Sequence, residues 1–337
     1  MPRTLDVIDD LDALDAIEAD WRRLHARDAQ ATVFGSWGWL RGRLESVPEP
    51  WWLLIARDAE GTIDGMVAVR VRPAEEDERG PVLTLALSPH ADYVGVLCET
   101  DHEDHVLDAF ATHIRTELDW RTFELRDVLD ARLDRFVARF PAPAFSIERR
   151  EPTPCPYLDL TPYLDAEDRW EAYLRALRKA RLRREIRHDL RAIERLPHLR
   201  RTTVDDDVEL QIDTLLRLWR ARWGALPEHE LEEFRSIFRR CAAEGTLWLS
   251  FLWDGEIPIS GLAGFIDRRR DAFGFYMTGF NPDYGSLSPG LVIITSSIRA
   301  ALEMGLHTFD FLRGDEPYKF ALGAALGAAD NIMIHRM

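Results

Sequence analysis

The chain has 337 residues, 46% of them hydrophobic and 30% charged, with a formal net charge of −16. It is long enough for two domains with real cores. The acidic balance disfavours general nucleic-acid binding, and no apolar run approaches the length of a membrane span. Three cysteines, Cys98, Cys155 and Cys241, lie far apart, and the histidines are scattered, so neither a disulfide framework nor metal-ligand spacing is present. The N-terminus "MPRTLDVIDDLDALDA" is acidic and unlike a signal peptide. A cytoplasmic protein without metal or membrane insertion is expected.

In chain order, Leu11, Leu14, Ile17, Trp21 and Leu24 share one face of a helix over 10–27, and a second helix is expected over 36–45. "WWLLIARDAEGTIDGMVAVRV" (51–71) reads as a hairpin turning at Asp58–Gly61. A helix over 105–119 and a strand over 120–127 follow. "EPTPCPYLDLTPYLD" (151–165) has four prolines and marks a boundary, after which a helix is expected from about 165 to 195. Between Arg169 and Arg201 there are twelve Arg and Lys against four Asp and Glu, a local charge of 12 − 4 = +8. Arg184, Arg187, Arg191 and Arg195 recur there at helical spacing, a candidate landing surface for a polyanion. The pattern then repeats: helices over 207–223 and 228–244, a hairpin over 247–267, a strand over 272–280, a helix over 291–305 and a strand within 306–315. A repeat period of about 190 residues signals a duplicated domain rather than a solenoid.

The two copies differ where their later helices begin. A helix N-terminus presents free N–H groups and partial positive charge, which suits a phosphate. "GSLSPGL" (285–291) offers Ser286 and Ser288 as caps, Pro289 at the first position and Gly290 for close approach. No acid intervenes between Asp283 and Glu303, whereas the first copy crowds Glu99, Asp101, Glu103 and Asp104 around the same point. Only the second copy is expected to bind an anionic donor. One further oddity concerns charge chemistry: Lys179 and Lys319 are the only lysines among 43 Lys and Arg.

The element order, with "SPHADYVGVL" (88–97), "RKARLRREIRHDL" (178–190), "YGSLSPGLVI" (284–293) and "FDFLRGDEPYK" (309–319), resembles the GNAT acyltransferase fold. Two copies in tandem look like its FemAB-like branch, which includes predicted acetyltransferases of polysaccharide-synthesis operons and aminoacyl-tRNA-dependent peptidoglycan transferases. The resemblance implies an α/β (α+β) protein of two tandem GNAT-like domains. These are a degenerate acceptor-side domain over 1–155, a linker with a long basic helix over 156–200, and a donor-binding domain over 201–337. The usual pyrophosphate loop, Gln/Arg-x-x-Gly-x-Gly/Ala, agrees with 285–290 only at Gly290.

The implied reaction is direct acyl transfer from acyl-CoA (acetyl-CoA) to an amine or hydroxyl of a small-molecule, glycan or peptide acceptor. Aminoacyl transfer from tRNA and a non-catalytic ligand-binding role stand as alternatives. By the same resemblance, Met277 and Gly279 lie on the strand that meets the acyl carbonyl, Gly279 being where it splays from its neighbour. Tyr318 is the proton donor to the leaving group. Lys319 is expected to hold a donor phosphate, an acceptor carboxylate or the developing oxyanion, flanked by Arg313 and Asp315. Asp92, beside Tyr93, is the candidate base, and Arg184 and Arg187 are candidate substrate contacts.

Overall fold

Leu14, Trp21 and Leu24 are buried as their helical spacing requires, as are Ile212, Leu215 and Leu218 of a later helix, whereas Trp223 at that helix's end is exposed. The structure, a computed structural model, describes residues 4–75, 80–196, 198–203, 207–224 and 226–337. The chain divides into two units, 1–153 with 328–337 and 154–327. The first unit contains β1 (Thr4–Ile8), α1 (Leu11–Ala16), α2 (Glu18–Arg27), α3 (Trp37–Leu44), β2 (Trp51–Arg57), β3 (Ile63–Arg72), β4 (Val82–Leu85), β5 (Leu97–Cys98), α4 (Glu103–Thr116), β6 (Thr122–Val128), α5 (Leu133–Val137) and the start of β7 (Phe145–Asp159). The second contains the end of β7, α6 (Arg169–Ala176), α7 (Ala180–Glu194), β8 (Leu199–Thr203), α8 (Val208–Trp223), α9 (Glu228–Ala243), β9 (Leu247–Asp254), β10 (Ile257–Asp267), β11 (Ala272–Phe280), α10 (Pro289–Glu303), β12 (Thr308–Asp310), α11 (Pro317–Ala321) and the start of β13 (Ala325–Arg336).

Each unit has a mixed sheet flanked by helices, and the two share one plan. In the first, β1, β2, β3 and β4 are antiparallel neighbours, β4 pairs in parallel with β6, and β6 pairs antiparallel with Asp330–His335 of β13. In the second, β8, β9, β10 and β11 are antiparallel neighbours, β11 pairs in parallel with β12, and β12 pairs antiparallel with Tyr157–Asp159 of β7. Arg336 closes the first unit's last strand: its Nη2 donates to the carbonyls of Arg115 at 3.0 Å and of Ile114 and Leu118, and its guanidinium covers the Trp120 ring at 4.5 Å.

The proline-rich stretch expected as a boundary contains the division between the units, at Thr153 and Pro154, and its first part, 151–159, is strand; the helix expected after it is corrected. Pro154 and Pro156 lack only an N–H, and their carbonyls accept from Gly314 N–H and Phe311 N–H, both at 2.9 Å. Alternate prolines thus face an edge that needs acceptors alone. The single helix expected over 165–195 is two, because Leu177 is extended (φ −60, ψ 129) between α6 and α7. Both helices pack on the core of the second unit through Tyr173, Leu174, Ile186, Leu190 and Ile193 rather than forming a linker.

The element that positions the site is β11. It holds β12 only over Ala272–Gly274, so from Phe275 onward its outer edge leaves its neighbour. On the inner side Ala263 faces Met277 and Gly264 faces Phe275, which makes Tyr276 the extra residue of a bulge at this point. The opening therefore starts at the bulge, not at Gly279 as expected. Gly279 is paired with Gly261 and is glycine for another reason: a Cβ there would stand 2.6 Å from the carbonyl carbon of Leu218 and 2.7 Å from Trp219 N. The backbone of α8 lies directly on it. Gly279→Ala should therefore destabilise the protein by about 1–3 kcal/mol through overpacking, read as a lower urea midpoint with unchanged slope.

Candidate active site in the second unit

Close packing of α8 on Gly279 carries the end of that helix to the end of β11. One turn beyond Leu218, the Arg222 guanidinium lies 4.8 Å from the Phe280 ring and 4.7 Å from that of Trp223, which is 57% exposed. Asn281 N–H donates to Ile259 O at 2.8 Å, toward β10. By strand alternation, Thr278 and Phe280 turn their backbone N–H groups to the opposite edge, the one β12 has left. Thr278 Oγ1 donates to Gly261 O at 3.0 Å, and Met277 is buried in the strand.

Past β11, a 3-10 turn over Pro282–Leu287 leads to α10. Asn281 Oδ1 accepts from Asp283 N–H, and the Tyr284 hydroxyl donates to Asp254 Oδ2 at 2.9 Å, which raises the Tyr284 phenol above its ordinary range. Ser286 is exposed in that turn. Ser288 is the N-cap residue of α10 in the left-handed region (φ 48, ψ 48), and its side chain makes no capping bond. Capping by serine hydroxyls, expected from sequence, is thus absent at Ser288. Pro289 stands at the first position, no acid lies in the first turn, and a Cβ added at Gly290 would stand 3.5 Å from the Phe280 ring, which places that ring beside the helix start. The outcome is a helix start with undiverted N–H groups beside the free end of β11.

The first unit answers differently at the equivalent helix. The first turn of α4 carries Glu103 and Asp104. Arg135 bridges both, at 2.7 and 2.8 Å, and Arg139 reaches Asp104 at 3.1 Å and Asp108 at 2.5 Å. Hydrogen bonds from Arg135 and then Arg139 hold the Asp104 carboxyl below the usual carboxylate range. That helix start is occupied by the protein's own charges.

The stretch after β12 completes the site. Leu312 lies at φ 56 and Gly314 at φ 101, so the backbone turns sharply between β12 and α11. Lys319, 2% exposed, holds it: Nζ donates to the carbonyls of Arg313 (2.8 Å), Gly314 (2.9 Å) and Phe311 (3.2 Å), and lies 2.9 Å from Glu316 Oε2. Burial works to raise the Glu316 carboxyl, but the Lys319 hydrogen bond, its own backbone N–H and the Lys319 and Arg222 charges together hold it below the ordinary range. An ammonium has three N–H bonds, and four loop oxygens surround this one. None is left to meet a phosphate, a carboxylate or an oxyanion, which corrects the expected role: Lys319 builds the loop. A planar guanidinium cannot converge on such a cluster, which accounts for a lysine in an arginine-rich chain.

Tyr318, next to it, is partly exposed and meets the Phe311 ring edge-on at 6.1 Å. Burial pushes its phenol well above the ordinary range and the Glu316 charge adds to this, while Arg222 acts the other way. Arg313 is half-buried and Asp315 exposed; the carboxylate that reaches Lys319 is that of Glu316, two residues before Tyr318. Arg222, Trp223, Phe280 and Glu316 were not singled out from sequence. The available signal was Gly279, since a glycine under a helix fixes which residue of that helix overhangs the strand end. Asp92 and Tyr93 belong to the first unit, both buried; Tyr93 lines a small pocket there with Trp21, Thr32 and Gly35.

Residues 180–320 match the family described as Acetyltransferase (GNAT) domain. The chain carries a GNAT domain. Its start at α7 and end in α11 enclose every element of the site above. Among solved structures, the chain is similar to FemX (TM-score 0.64, 10% identity, 98% of this chain and 97% of that one). It is also similar to L-PGS from Bacillus licheniformis (TM-score 0.57, 8% identity, 97% and 92%). A tandem GNAT protein from the clavulanic acid biosynthesis pathway follows (TM-score 0.50, 11% identity, 98% and 98%). No curated protein matches the chain. These likenesses show a fold shared with FemX, L-PGS and the tandem GNAT protein. In the GNAT domain, Lys319→Arg and Lys319→Met should each lower stability by about 2–4 kcal/mol, because buried carbonyls lose their donor. The measurement is chemical denaturation, with Lys179→Arg as a comparison expected to change stability by less than about 0.5 kcal/mol.

Proposed function

We propose that the GNAT domain transfers an acyl group from acyl-CoA to an amine or hydroxyl acceptor by direct attack. The observation that carries this reading is the start of α10, without an acid or a side-chain cap, set beside the end of β11. That chemistry fits a pyrophosphate: the backbone N–H groups of Gly290 and Leu291, ahead of Val292 N–H which donates to Ser288 O, and the positive end of the helix supply the attraction, and Arg222 adds a cation near Phe280. Bound acyl-CoA would supply the activated thioester carbonyl. The chain's own part is to orient it, through the outward N–H groups of Thr278 and Phe280 as candidate oxyanion donors. Met277, at the bulge, fixes the turn of the strand beneath them. Tyr318 is the proton source for the departing thiolate, and its raised pKa keeps the proton on the phenol throughout the neutral range. Arg313 and Asp315, on the Lys319-held loop, are candidate acceptor contacts. The acceptor is a small molecule, glycan or peptide.

Aminoacyl transfer from tRNA is the second reading. It is favoured by the exposed arginines of α7 and by the likeness in fold to FemX.

Addition of CoA should slow hydrogen exchange over 284–295. Protection at 100–108 instead, or at neither place, would remove the donor from α10. Tyr318→Phe should lower turnover by about 10²-fold with a thiol leaving group, and by less as that group becomes more acidic. Because the Tyr318 pKa is raised, activity in the native enzyme should not fall as pH passes the ordinary tyrosine range near ~10. A decline centred there would show that Tyr318 titrates as an unperturbed phenol.

A further inference from the structure

Past Gly274 and Asp310 the strands β11 and β12 part, and the wedge between them is closed at its base on both faces of the sheet. On one face Phe275 and Phe311, the first residues beyond that last pair, span the gap edge-on with ring centroids 6.0 Å apart. Phe309 backs Phe311 at 5.0 Å and Phe275 at 6.2 Å, and is itself stacked on Phe273 at 5.0 Å. All four rings are buried. On the other face the plug is Leu312. In its left-handed conformation (φ 56) this leucine lays its side chain along Gly274, where an added Cβ would stand 3.6 and 3.7 Å from the two methyl carbons. Successive strand residues face opposite sides, so the rings beside 273 and 275 and the methyl groups over 274 block the wedge from above and below.

Phe311 is held from both sides. Its N–H donates to Pro156 O at 2.9 Å, and its carbonyl accepts from Lys319 Nζ at 3.2 Å, which pins the residue between β7 and the buried ammonium. Tyr318 meets the Phe311 ring at 6.1 Å, so a group that pushed the ring aside would also shift the phenol. A chain entering the wedge from the outward N–H groups of Thr278 and Phe280 therefore has a fixed floor. Phe275 precedes Thr278 by three residues, about 10 Å of strand, of which ~4 Å is van der Waals contact with the rings.

We propose that Phe275, Phe311 and Leu312 are specificity-determining residues that limit the donor's acyl group to about four carbons, a role that rests on acyl-CoA being the donor. A longer chain would have to break the Phe275–Phe311 contact or lift Leu312 from Gly274, or else leave its outer carbons in water.

The test is isothermal titration calorimetry of the full chain with CoA, acetyl-CoA, butyryl-CoA and octanoyl-CoA, the affinity for CoA serving as reference within each variant. The native protein should bind acetyl-CoA and butyryl-CoA at least as tightly as CoA. Octanoyl-CoA should bind no more tightly than butyryl-CoA, because its added methylene groups gain no burial. Leu312→Gly removes the side chain over Gly274 and puts at φ 56 the residue that takes it most readily, so the fold is kept. In that variant octanoyl-CoA should gain about 10-fold or more relative to CoA, since each newly buried methylene group is worth about 4-fold. Phe311→Ala should shift the preference in the same direction; if it does not fold, Leu312→Gly decides. Phe320→Ala, on the exposed side of α11, should keep the native order. Octanoyl-CoA bound more tightly than butyryl-CoA by the native protein overturns the length limit. So does an unchanged octanoyl-CoA to CoA ratio in folded Leu312→Gly, while CoA itself still binds. Absence of CoA binding removes the donor reading, and the length limit falls with it.

Discussion

The site rests on one buried ammonium. Lys319 gathers three backbone carbonyls and a carboxylate within 3.2 Å and so closes a turn in which Leu312 adopts a left-handed conformation. A leucine rarely takes that conformation without outside support. Without the lysine, the carbonyls of residues 311–314 would be buried without a strong donor, and the residues that follow would lose their anchor. Tyr318 comes immediately before Lys319 on a helix of five residues, too short to be stable alone. The position of the phenol is therefore set by the charge buried beside it.

The same dependence runs through β11. Its departure from β12, the bulge at Tyr276 and the seat of α8 on Gly279 all fall within six residues of one another. Each would be a defect in an ordinary sheet. Together they leave one strand end open, a cation over it and a helix start beside it. The duplicated unit shows what removes such a site without disturbing the fold: acids in the first turn of α4, neutralised by Arg135 of α5 and by Arg139 just beyond it.

Periodicity made the helices and hairpins legible, and comparison of the halves exposed the duplication, because both depend on patterns that repeat along the chain. The proline-rich strand was not legible in that way: whether proline breaks a strand depends on which edge needs an N–H, which only the partner shows. Leu177 and Gly279 were misread for a related reason. Nothing local distinguishes a leucine that ends a helix from one inside it, or a glycine that bends from one that makes room. Lys319 stood out by composition alone, but its burial among carbonyls depends on a turn formed by residues five to eight positions earlier. The difference between the helix starts of α4 and α10 was readable because charge is carried by side chains and needs no fold to be counted.

The assignment of residues 328–337 to the first unit has a consequence for biosynthesis. Strand β6 acquires its partner, with Ile332 and Ile334 in the core and Arg336 over Trp120, only from chain made after the whole second unit. On the ribosome, the first unit to begin is the last to be finished. Until then β6 presents an open edge in the nascent chain, and the interval is set by the time needed to translate residues 154–327. Clusters of rare codons in that stretch would lengthen exposure of an edge hundreds of nucleotides upstream, so codon choice in the second unit bears on the solubility of the first.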